Sequence, residues 1–167
     1  MRDETAHNLK EAFVGESQAA IKYSIFAAEA EKAGLPEVAR LFRAISFAEQ
    51  VHATNHLREL GDVGSTAANL KAAEDGEIYE VEQMYPAFKE VAQSQGEKGA
   101  LRSIHYALEA EKQHIDLYHE AEEMVLAGHD IEGRPVYICP VCGYTVVGEP
   151  PARCPICGQP SQNFHKF

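Results

Sequence analysis

The stretch Phe47-Ala-Glu-Gln-Val-His52 places a carboxylate and an imidazole where a helix should bury hydrophobic side chains. It continues a series with steps of three and four, the spacing of a helix face that packs in a bundle core. The series is Val38, Phe42, Ile45, Glu49, His52 and His56. Charged side chains rarely occupy such a face unless they are paired or bind a metal. Residues three apart on a helix point the same way, so we expect Glu49 and His52 to reach one metal ion.

A second pair of the same kind occurs at Glu111 and His114. It also lies on an apolar series with steps of three and four, formed by Leu101, Ile104, Leu108, Glu111, Ile115 and Tyr118. One Glu-x-x-His pair occurs by chance on many helices, but two pairs on apolar faces indicate a metal site. The alternative is a network of salt bridges between helices, for which these faces offer few Lys or Arg partners.

The 167 residues are strongly acidic, with a formal net charge of −11. Such a charge disfavours binding to nucleic acid or to anionic membranes, and it suits cations. The first residues are polar and lack the apolar stretch of a signal peptide, and no run approaches the ~18 apolar residues of a membrane span. We therefore expect a cytoplasmic protein that binds neither nucleic acid nor membrane.

Helical periodicity covers most of the chain and ends before the cysteines. It predicts helices over residues 3–33, 36–60, 76–95 and 97–127. Residues 62–75 show no sustained period and are predicted to form a long connection, either across the end of a bundle or to another subunit. Pro86 is expected to bend the third helix. Two hairpins joined by one long crossover predict an all-α ferritin-like four-helix bundle over 1–130, with a small metal ribbon over 131–167.

Each predicted hairpin supplies one further glutamate before its Glu-x-x-His pair. Glu16 precedes Glu49 by 33 residues (49 − 16), and Glu80 precedes Glu111 by 31 residues (111 − 80). Four carboxylates and two imidazoles favour iron or manganese, with carboxylates bridging two metals. Tyr23 lies seven residues after Glu16 and is either a hydrogen-bond donor to a ligand carboxylate or a packed core side chain.

The four cysteines lie in the last part of the chain, at Cys139, Cys142, Cys154 and Cys157. Two Cys-x2-Cys pairs separated by eleven residues predict a four-thiolate site for tetrahedral zinc or for a single iron. A glycine after the second cysteine of each pair frees the turn to direct backbone N–H groups at sulfur. The spacing alone does not distinguish the two metals.

Nearly the whole chain resembles the rubrerythrin family. The matching segments are Glu16-Ser-Gln-Ala, Phe47-Ala-Glu-Gln-Val-His52-Ala, Glu80-Val-Glu-Gln-Met-Tyr-Pro86, Ala110-Glu-Lys-Gln-His114 and Tyr137-Ile-Cys-Pro-Val-Cys-Gly-Tyr144. The resemblance implies two irons in the bundle, one iron in a rubredoxin-like Fe(Cys)4 ribbon, and reduction of hydrogen peroxide in the cytoplasm. It also implies that electrons enter through the ribbon from rubredoxin or from an NAD(P)H-dependent reductase.

The same resemblance assigns roles to the bundle residues. Glu49 and Glu111 are expected to bridge the metals, while Glu80 and His114 hold one iron. Glu16 is expected to hold the other iron, which His52 also binds in the reduced state.

One position departs from the family pattern. Gln83 stands where the family usually has a second Glu, three residues after the equivalent of Glu80. In relatives that carboxylate takes the iron from the histidine on oxidation, and an amide oxygen is a poorer ligand for ferric iron. The departure predicts that His52 stays bound in both oxidation states, so that the movement of the iron is reduced or lost.

The sequence as a whole predicts a rubrerythrin-type non-haem di-iron peroxidase. One alternative is a ferroxidase or iron-storage protein, which would not need the ribbon. Another is a non-catalytic adaptor with zinc in the ribbon, which would not need the Glu and His residues of the bundle. Transfer of electrons from ribbon to bundle favours a homodimer, either head-to-tail or with exchanged helical hairpins.

Overall fold

The computed structural model describes residues 1–167 as helices followed by a small sheet. The α-helices are α1 (Asp3–Lys32), α2 (Pro36–Leu60), α3 (Thr66–Tyr79), α4 (Tyr85–Gln95) and α5 (Lys98–Leu126). A π-helical segment, Glu80–Met84, joins α3 to α4, so these three form one long helical run. Four long helical runs are therefore present, as the periodicity predicts. The chain folds as two compact units, residues 1–64 and 65–167.

The first unit is the antiparallel hairpin of α1 and α2. Its buried residues are all alanines: Ala20, Ala27, Ala30, Ala39 and Ala53. Alanine lets two helices approach closely and has the highest helix propensity. Ser46 adds one polar contact, because its hydroxyl donates to the carbonyl of Ala20 at 2.7 Å. The helix α2 ends at Gly61, whose φ of +79° is the left-handed conformation that favours glycine at a helix C-terminus.

The connection between the two units is shorter than the sequence predicts. We expected a connection over residues 62–75, but α3 begins at Thr66. The side chain of Ser65 accepts a hydrogen bond from the backbone N–H of Ala68 at 3.3 Å, which caps the helix. The alanine-rich sequence that follows has high helix propensity despite its weak periodicity. Only residues 61–65 therefore separate α2 from α3.

A π-helical segment precedes Pro86, the residue that is predicted to bend the third helix. Pro86 has no N–H group, and in an α-helix its ring would clash with the carbonyl four residues earlier. The backbone instead widens by one turn, with the N–H of Tyr85 bonded to the carbonyl of Glu80. Pro86 then lies in the first turn of α4, where a missing N–H costs nothing. Such π turns occur frequently at functional sites.

Within the second unit, α3 packs against α5 through a buried carboxylate. Glu74 is buried and has its Oε1 3.0 Å from Nδ1 of His119 on α5. Lys71 lies one turn before it, with Nζ 3.4 Å from Oε2 of Glu74. These two partners satisfy the carboxylate, so Glu74 is a packing residue and not a metal ligand.

The ribbon belongs to the second unit and packs against α5. Its strands are β1 (Val136–Ile138), β2 (Thr145–Val147) and β3 (His165–Lys166), in the antiparallel order β2-β1-β3. The ribbon core contains Cys139, Cys142, Cys154 and Phe164. Tyr106 of α5 packs against this core. The contact joins the cysteine site to the helix that carries Glu111 and His114.

Candidate metal centre

The first cluster of metal-binding side chains lies in the α1–α2 hairpin. Glu16, Glu49 and His52 each offer one ligand atom, and these atoms lie within 4.8 Å of one another. Nδ1 of His52 is 2.9 Å from Oε2 of Glu49 and 3.9 Å from Oε1 of Glu16. The structure thus brings together the three residues that the sequence predicts for this half of the bundle.

The second cluster lies in the second unit and contains a residue that the sequence pattern did not single out. Glu77, Glu111 and His114 also offer ligand atoms within 4.8 Å of one another. Nδ1 of His114 is 2.5 Å from Oε2 of Glu111 and 3.8 Å from Oε1 of Glu77. These distances closely repeat those of the first cluster, with Glu77 in the position of Glu16.

The two clusters also have matching electrostatics. In the first, a hydrogen bond between the carboxyl groups raises the pKa of Glu16 and lowers that of Glu49. In the second, burial, the charge of Glu111 and a hydrogen bond to it raise the pKa of Glu77 to about 7. A hydrogen bond with His114 lowers the pKa of Glu111. In both clusters the lone glutamate therefore holds its proton more tightly than the glutamate of the Glu-x-x-His pair.

Glu80, which the sequence predicts as the ligand, lies beside the second cluster. It interacts electrostatically with Glu77, and its own pKa is raised by burial and by the charge of Glu111. The spacing of Glu77 and Glu80 places both on one face of the helical run. Gln83 is exposed and lies within the π-helical segment.

One signal in the sequence could have identified Glu77. Glu77 precedes Glu111 by 34 residues (111 − 77), which is closer than Glu80 to the 33 residues that separate Glu16 from Glu49. The prediction of Glu80 assumes that the helix face after Pro86 continues towards the N-terminus with regular α-helical spacing. The π-helical segment changes the phase of the helix there, so that extrapolation does not hold.

Tyr23 belongs to an aromatic group in the first unit. Its ring centroid lies 6.2 Å from those of Phe26 and Phe42. The sequence left two roles open for Tyr23, a hydrogen-bond donor to a ligand carboxylate and a packed core side chain. These ring contacts support the packed side chain. Tyr85, in contrast, is a phenol close to the second cluster: burial and the charges of Glu80, Glu111 and Glu77 raise its pKa.

His114 connects the second cluster to the ribbon. Its Nε2 is 2.7 Å from Oγ1 of Thr145, a buried residue at the start of β2. The hydroxyl proton of Thr145 is donated to the carbonyl of Gly143 at 3.0 Å. A hydroxyl has one proton, so Thr145 accepts from the N–H at Nε2 of His114. This hydrogen bond directs Nδ1 of His114 towards the carboxylates, where its lone pair can bind a metal.

The four cysteines form the third cluster. Their Sγ atoms lie within 4.8 Å of one another, with Cys139 and Cys157 at 3.5 Å and Cys142 and Cys154 at 3.4 Å. Burial raises the pKa of the Cys142 thiol, so without a metal this sulfur keeps its proton. Four converging sulfurs match the donor set of a tetrahedral thiolate site.

The donor chemistry of the bundle clusters fits a pair of iron ions. Each cluster supplies two carboxylates and one imidazole, and a bound cation would offset the burial and carboxylate repulsion that raise the pKa of Glu77. Ferritin-like di-iron sites use a Glu from each of two helices and a Glu-x-x-His motif from each of the other two. The two clusters together supply that set.

Comparison with known proteins identifies one family along most of the chain. The family model Rubrerythrin matches residues 7–122, and the model for the rubrerythrin rubredoxin-like domain matches residues 137–165. Rubrerythrin-2 of Clostridium acetobutylicum is 43% identical over 153 residues, covering 83% of this chain and 83% of the relative. Nigerythrin of Nitratidesulfovibrio vulgaris is 37% identical over 153 residues, covering 83% of this chain and 74% of nigerythrin.

A solved structure of nigerythrin is also similar. Its fully reduced, all-ferrous state matches with a TM-score of 0.59 and 33% sequence identity, covering 98% of this chain and 86% of that chain. The carboxylate and histidine clusters on long helices define the class as a ferritin-like di-iron protein, here with a rubredoxin-like ribbon. Within that class, this chain belongs to the rubrerythrin family.

Membership confirms the predicted fold class and the predicted cofactors. The chain is an all-α ferritin-like protein with a C-terminal rubredoxin-like region, a di-iron site and a four-cysteine metal site. Members of the family are generally oxidoreductases. No helix is both long and apolar enough to cross a membrane.

Proposed function

We propose that the protein reduces hydrogen peroxide to water at the di-iron site, with electrons supplied through the iron of the cysteine ribbon. The observation that carries this proposal is the hydrogen bond between His114 and Thr145, at 2.7 Å. Thr145 is three residues after Cys142 in the ribbon, and His114 is a member of the carboxylate cluster. A redox metal at the cysteines would therefore lie close to the residues that hold the bundle metals.

Two further observations support a redox function. Solved nigerythrin structures are described as fully reduced, mixed-valent and partially reduced, so in that protein the metals change oxidation state. Storage of iron does not require a cysteine ribbon packed against a ligand helix, and an adaptor does not require carboxylates and histidines that converge within 4.8 Å. Neither alternative function is favoured by any contact in the structure.

We propose seven ligands for the bundle metals. They are Glu16, Glu49, His52, Glu77, Glu80, Glu111 and His114. Glu77 takes the place in the second cluster that Glu16 has in the first. Glu80 is the further carboxylate of the second unit, because it lies beside the cluster and interacts electrostatically with Glu77. This assignment leaves Gln83 without a role in binding iron. The predicted loss of iron movement, which depended on Gln83, is accordingly replaced by the expectation that Glu80 is available as a redox-dependent ligand.

When bound, the iron pair supplies the two electrons that reduce the O–O bond of peroxide (H2O2 + 2 e⁻ + 2 H⁺ → 2 H2O). The side chains fix the surroundings of that reaction. Tyr85 keeps its phenolic proton because burial and the neighbouring carboxylates raise its pKa, so it can donate a hydrogen bond near the metals. Thr145 accepts from the Nε2 N–H of His114, so Nδ1, which is hydrogen-bonded to Glu111 here, is the nitrogen that would bind a metal.

The electron source, by family resemblance, is rubredoxin or an NAD(P)H-dependent reductase, and the setting is the cytoplasm. The ribbon surface is where such a donor would bind, because the ribbon carries the first metal that an electron reaches. Titration of the oxidised protein with candidate reduced donors under anaerobic conditions would identify the donor.

The proposal is tested by single-turnover reoxidation. The iron-loaded protein is reduced anaerobically, mixed with hydrogen peroxide or with oxygen, and followed through the visible absorbance of ferric Fe(Cys)4. Rapid reappearance of that absorbance with peroxide, and slow reappearance with oxygen, is expected. Faster reaction with oxygen while the ribbon stays reduced would support a ferroxidase instead. Zinc at the cysteines of protein purified from its native host would support the adaptor.

A further inference from the structure

The two cysteine turns of the ribbon are built alike. In the first, the N–H of Gly143 donates to the carbonyl of Cys139 at 3.0 Å. In the second, the N–H of Gly158 donates to the carbonyl of Cys154 at 2.9 Å. Both glycines have a left-handed φ, +80° and +78°. Each turn is therefore closed by the same backbone hydrogen bond, in a conformation that favours glycine.

The peptide group that follows each glycine directs its N–H at a cysteine sulfur. Burial raises the pKa of the Cys142 thiol, and a hydrogen bond from the backbone N–H of Tyr144 opposes that shift. Burial also raises the pKa of the Cys157 thiol, and the backbone N–H of Gln159 opposes it in the same way. A hydrogen bond to sulfur stabilises the thiolate, so both peptide groups favour the form of the side chain that binds a metal.

The carbonyl of the same peptide group accepts a side-chain hydrogen bond in each turn, and here the two turns differ. Oγ1 of Thr145 donates to the carbonyl of Gly143 at 3.0 Å. Nη1 of Arg153 donates to the carbonyl of Gly158 at 2.9 Å. The first donor is a neutral hydroxyl, whereas the second is a guanidinium that stays charged at every physiological pH. The second turn thus carries a cation where the first has none.

No carboxylate neutralises this guanidinium. The other arginine of the ribbon, Arg134, has its Nε 3.2 Å from Oε2 of Glu132, but Arg153 forms no ion pair. Its side chain is exposed, so solvent screens the charge, but the hydrogen bond aligns the charge with one peptide group. A charged donor on the carbonyl polarises that peptide group and strengthens the hydrogen bond that its N–H donates. Arg153 therefore acts on the sulfur of Cys157 through the peptide group between them.

We propose that Arg153 is a positioning residue of the ribbon metal site, which holds the peptide group after Gly158 and makes the ribbon iron easier to reduce. Reduction adds one negative charge to the four thiolates and their metal. A nearby cation and a stronger N–H···S hydrogen bond both favour the more negative state. The inference rests on the proposed function in one respect, the entry of electrons through the ribbon, and it sets how strong a reductant the donor must be.

Redox titration of the full-length, iron-loaded protein tests the proposal. Arg153→Met removes the charge and the hydrogen-bond donor but keeps a long, unbranched side chain. The reduction potential, followed through the ferric absorbance of the ribbon, is expected to fall by about 20–40 mV. That shift is a two- to fivefold change in the ratio of reduced to oxidised iron, the size that an exposed charge produces.

Lys166→Met is the matched control for this titration, because Lys166 is another exposed cation of the ribbon and lies on β3. It should shift the potential by less than half as much as Arg153→Met. Equal shifts would mean that only the net charge matters and would overturn the proposal. An unchanged potential in Arg153→Met would overturn it as well.

Amide hydrogen exchange measures the hydrogen bond itself. With zinc as the only metal the full-length protein is diamagnetic, so exchange of single backbone N–H groups can be followed by NMR without any redox change. Arg153→Met is expected to speed exchange at Gln159 by roughly threefold or more. Exchange at Tyr144, whose peptide group is held by Thr145, should not change.

Unchanged exchange at Gln159 in Arg153→Met would overturn the positioning role of Arg153. Neither measurement uses peroxide. A protein that fails to reduce peroxide would therefore leave this inference standing, and an unchanged potential and exchange rate would leave the proposed peroxidase function standing.

Discussion

Nε2 of His114 lies 2.7 Å from Oγ1 of Thr145, so a residue of the carboxylate cluster and a residue of the cysteine ribbon share a hydrogen bond. The contact also bears on the protonation of His114. Because Thr145 gives its only proton to the carbonyl of Gly143, it also fixes which nitrogen of His114 is protonated. A ribbon residue therefore prepares a bundle residue to bind metal.

Replacement of Thr145 is expected to slow electron transfer between the ribbon and the bundle. Thr145→Val removes the acceptor for the Nε2 proton, and loss of one buried hydrogen bond of about 1.4 kcal/mol corresponds to roughly tenfold. The rate is measured by stopped-flow absorbance of the ribbon iron after addition of peroxide. Thr145→Ser keeps the hydroxyl and should retain most of the rate. Equal rates in Thr145→Val and wild type would show that this contact is not used.

Loss of Glu77 is expected to reduce metal binding by the bundle. Glu77→Gln removes a carboxylate from the second cluster and should lower bundle iron by at least half, measured against ribbon iron in the same sample. The matched control is Gln83→Glu, which adds a carboxylate at an exposed position of the π-helical segment. It should leave iron content unchanged. If Gln83→Glu raised iron binding and Glu77→Gln had no effect, the original assignment of Glu80 and Gln83 would be correct.

The metal-free protein should become less stable as the pH rises from about 4.5 to about 7. Burial and the charge of Glu111 raise the folded-state pKa of Glu77 to about 7 from its ordinary value of 4.5, so the folded state binds this proton more tightly than the unfolded state. The stabilisation is complete below the lower value and is lost as the pH passes the higher one. Denaturant titrations at several pH values measure the trend. Glu77→Gln, which cannot ionise, should show a weaker decrease over the same interval.

The glycine after Cys142 is expected to matter for stability. Gly143 has a φ of +80°, and a Cβ atom there would lie 3.8 Å from Cβ of Ala110, which is ordinary contact. The cost of Gly143→Ala is therefore backbone strain of about 1–2 kcal/mol, and the midpoint of thermal unfolding should fall by about 2–8 °C. Gly133→Ala is the control, because Gly133 has no positive φ and no atom within 4 Å. A similar shift in both variants would mean that the conformation of Gly143 is not responsible.

Much of the site could be predicted from the sequence because helical spacing reports which side chains share a face. Glu49 with His52 and Glu111 with His114 are single i, i+3 pairs within regular helices, and each pair lies together in the structure. Glu77 was missed because the π-helical segment interrupts the regular spacing between it and the rest of the run. Thr145 could not be found in this way, since its contact with His114 joins positions 31 residues apart through tertiary packing.

The start of α3 shows a second limit of periodicity. Residues 66–73 contain few large apolar side chains, so no face can be identified from their pattern. Ser65 and the alanines determine the helix through capping and propensity. Moving the helix start from 76 to 66 changes the expected connection from a long loop into five residues.

The four-cysteine cluster also bears on how the protein acquires its metal. Its sulfurs all come from residues 139–157 of one unit and converge within 4.8 Å of one another. Loading of the ribbon should therefore be first order in chain concentration, so that ribbon metal is present at any expression level.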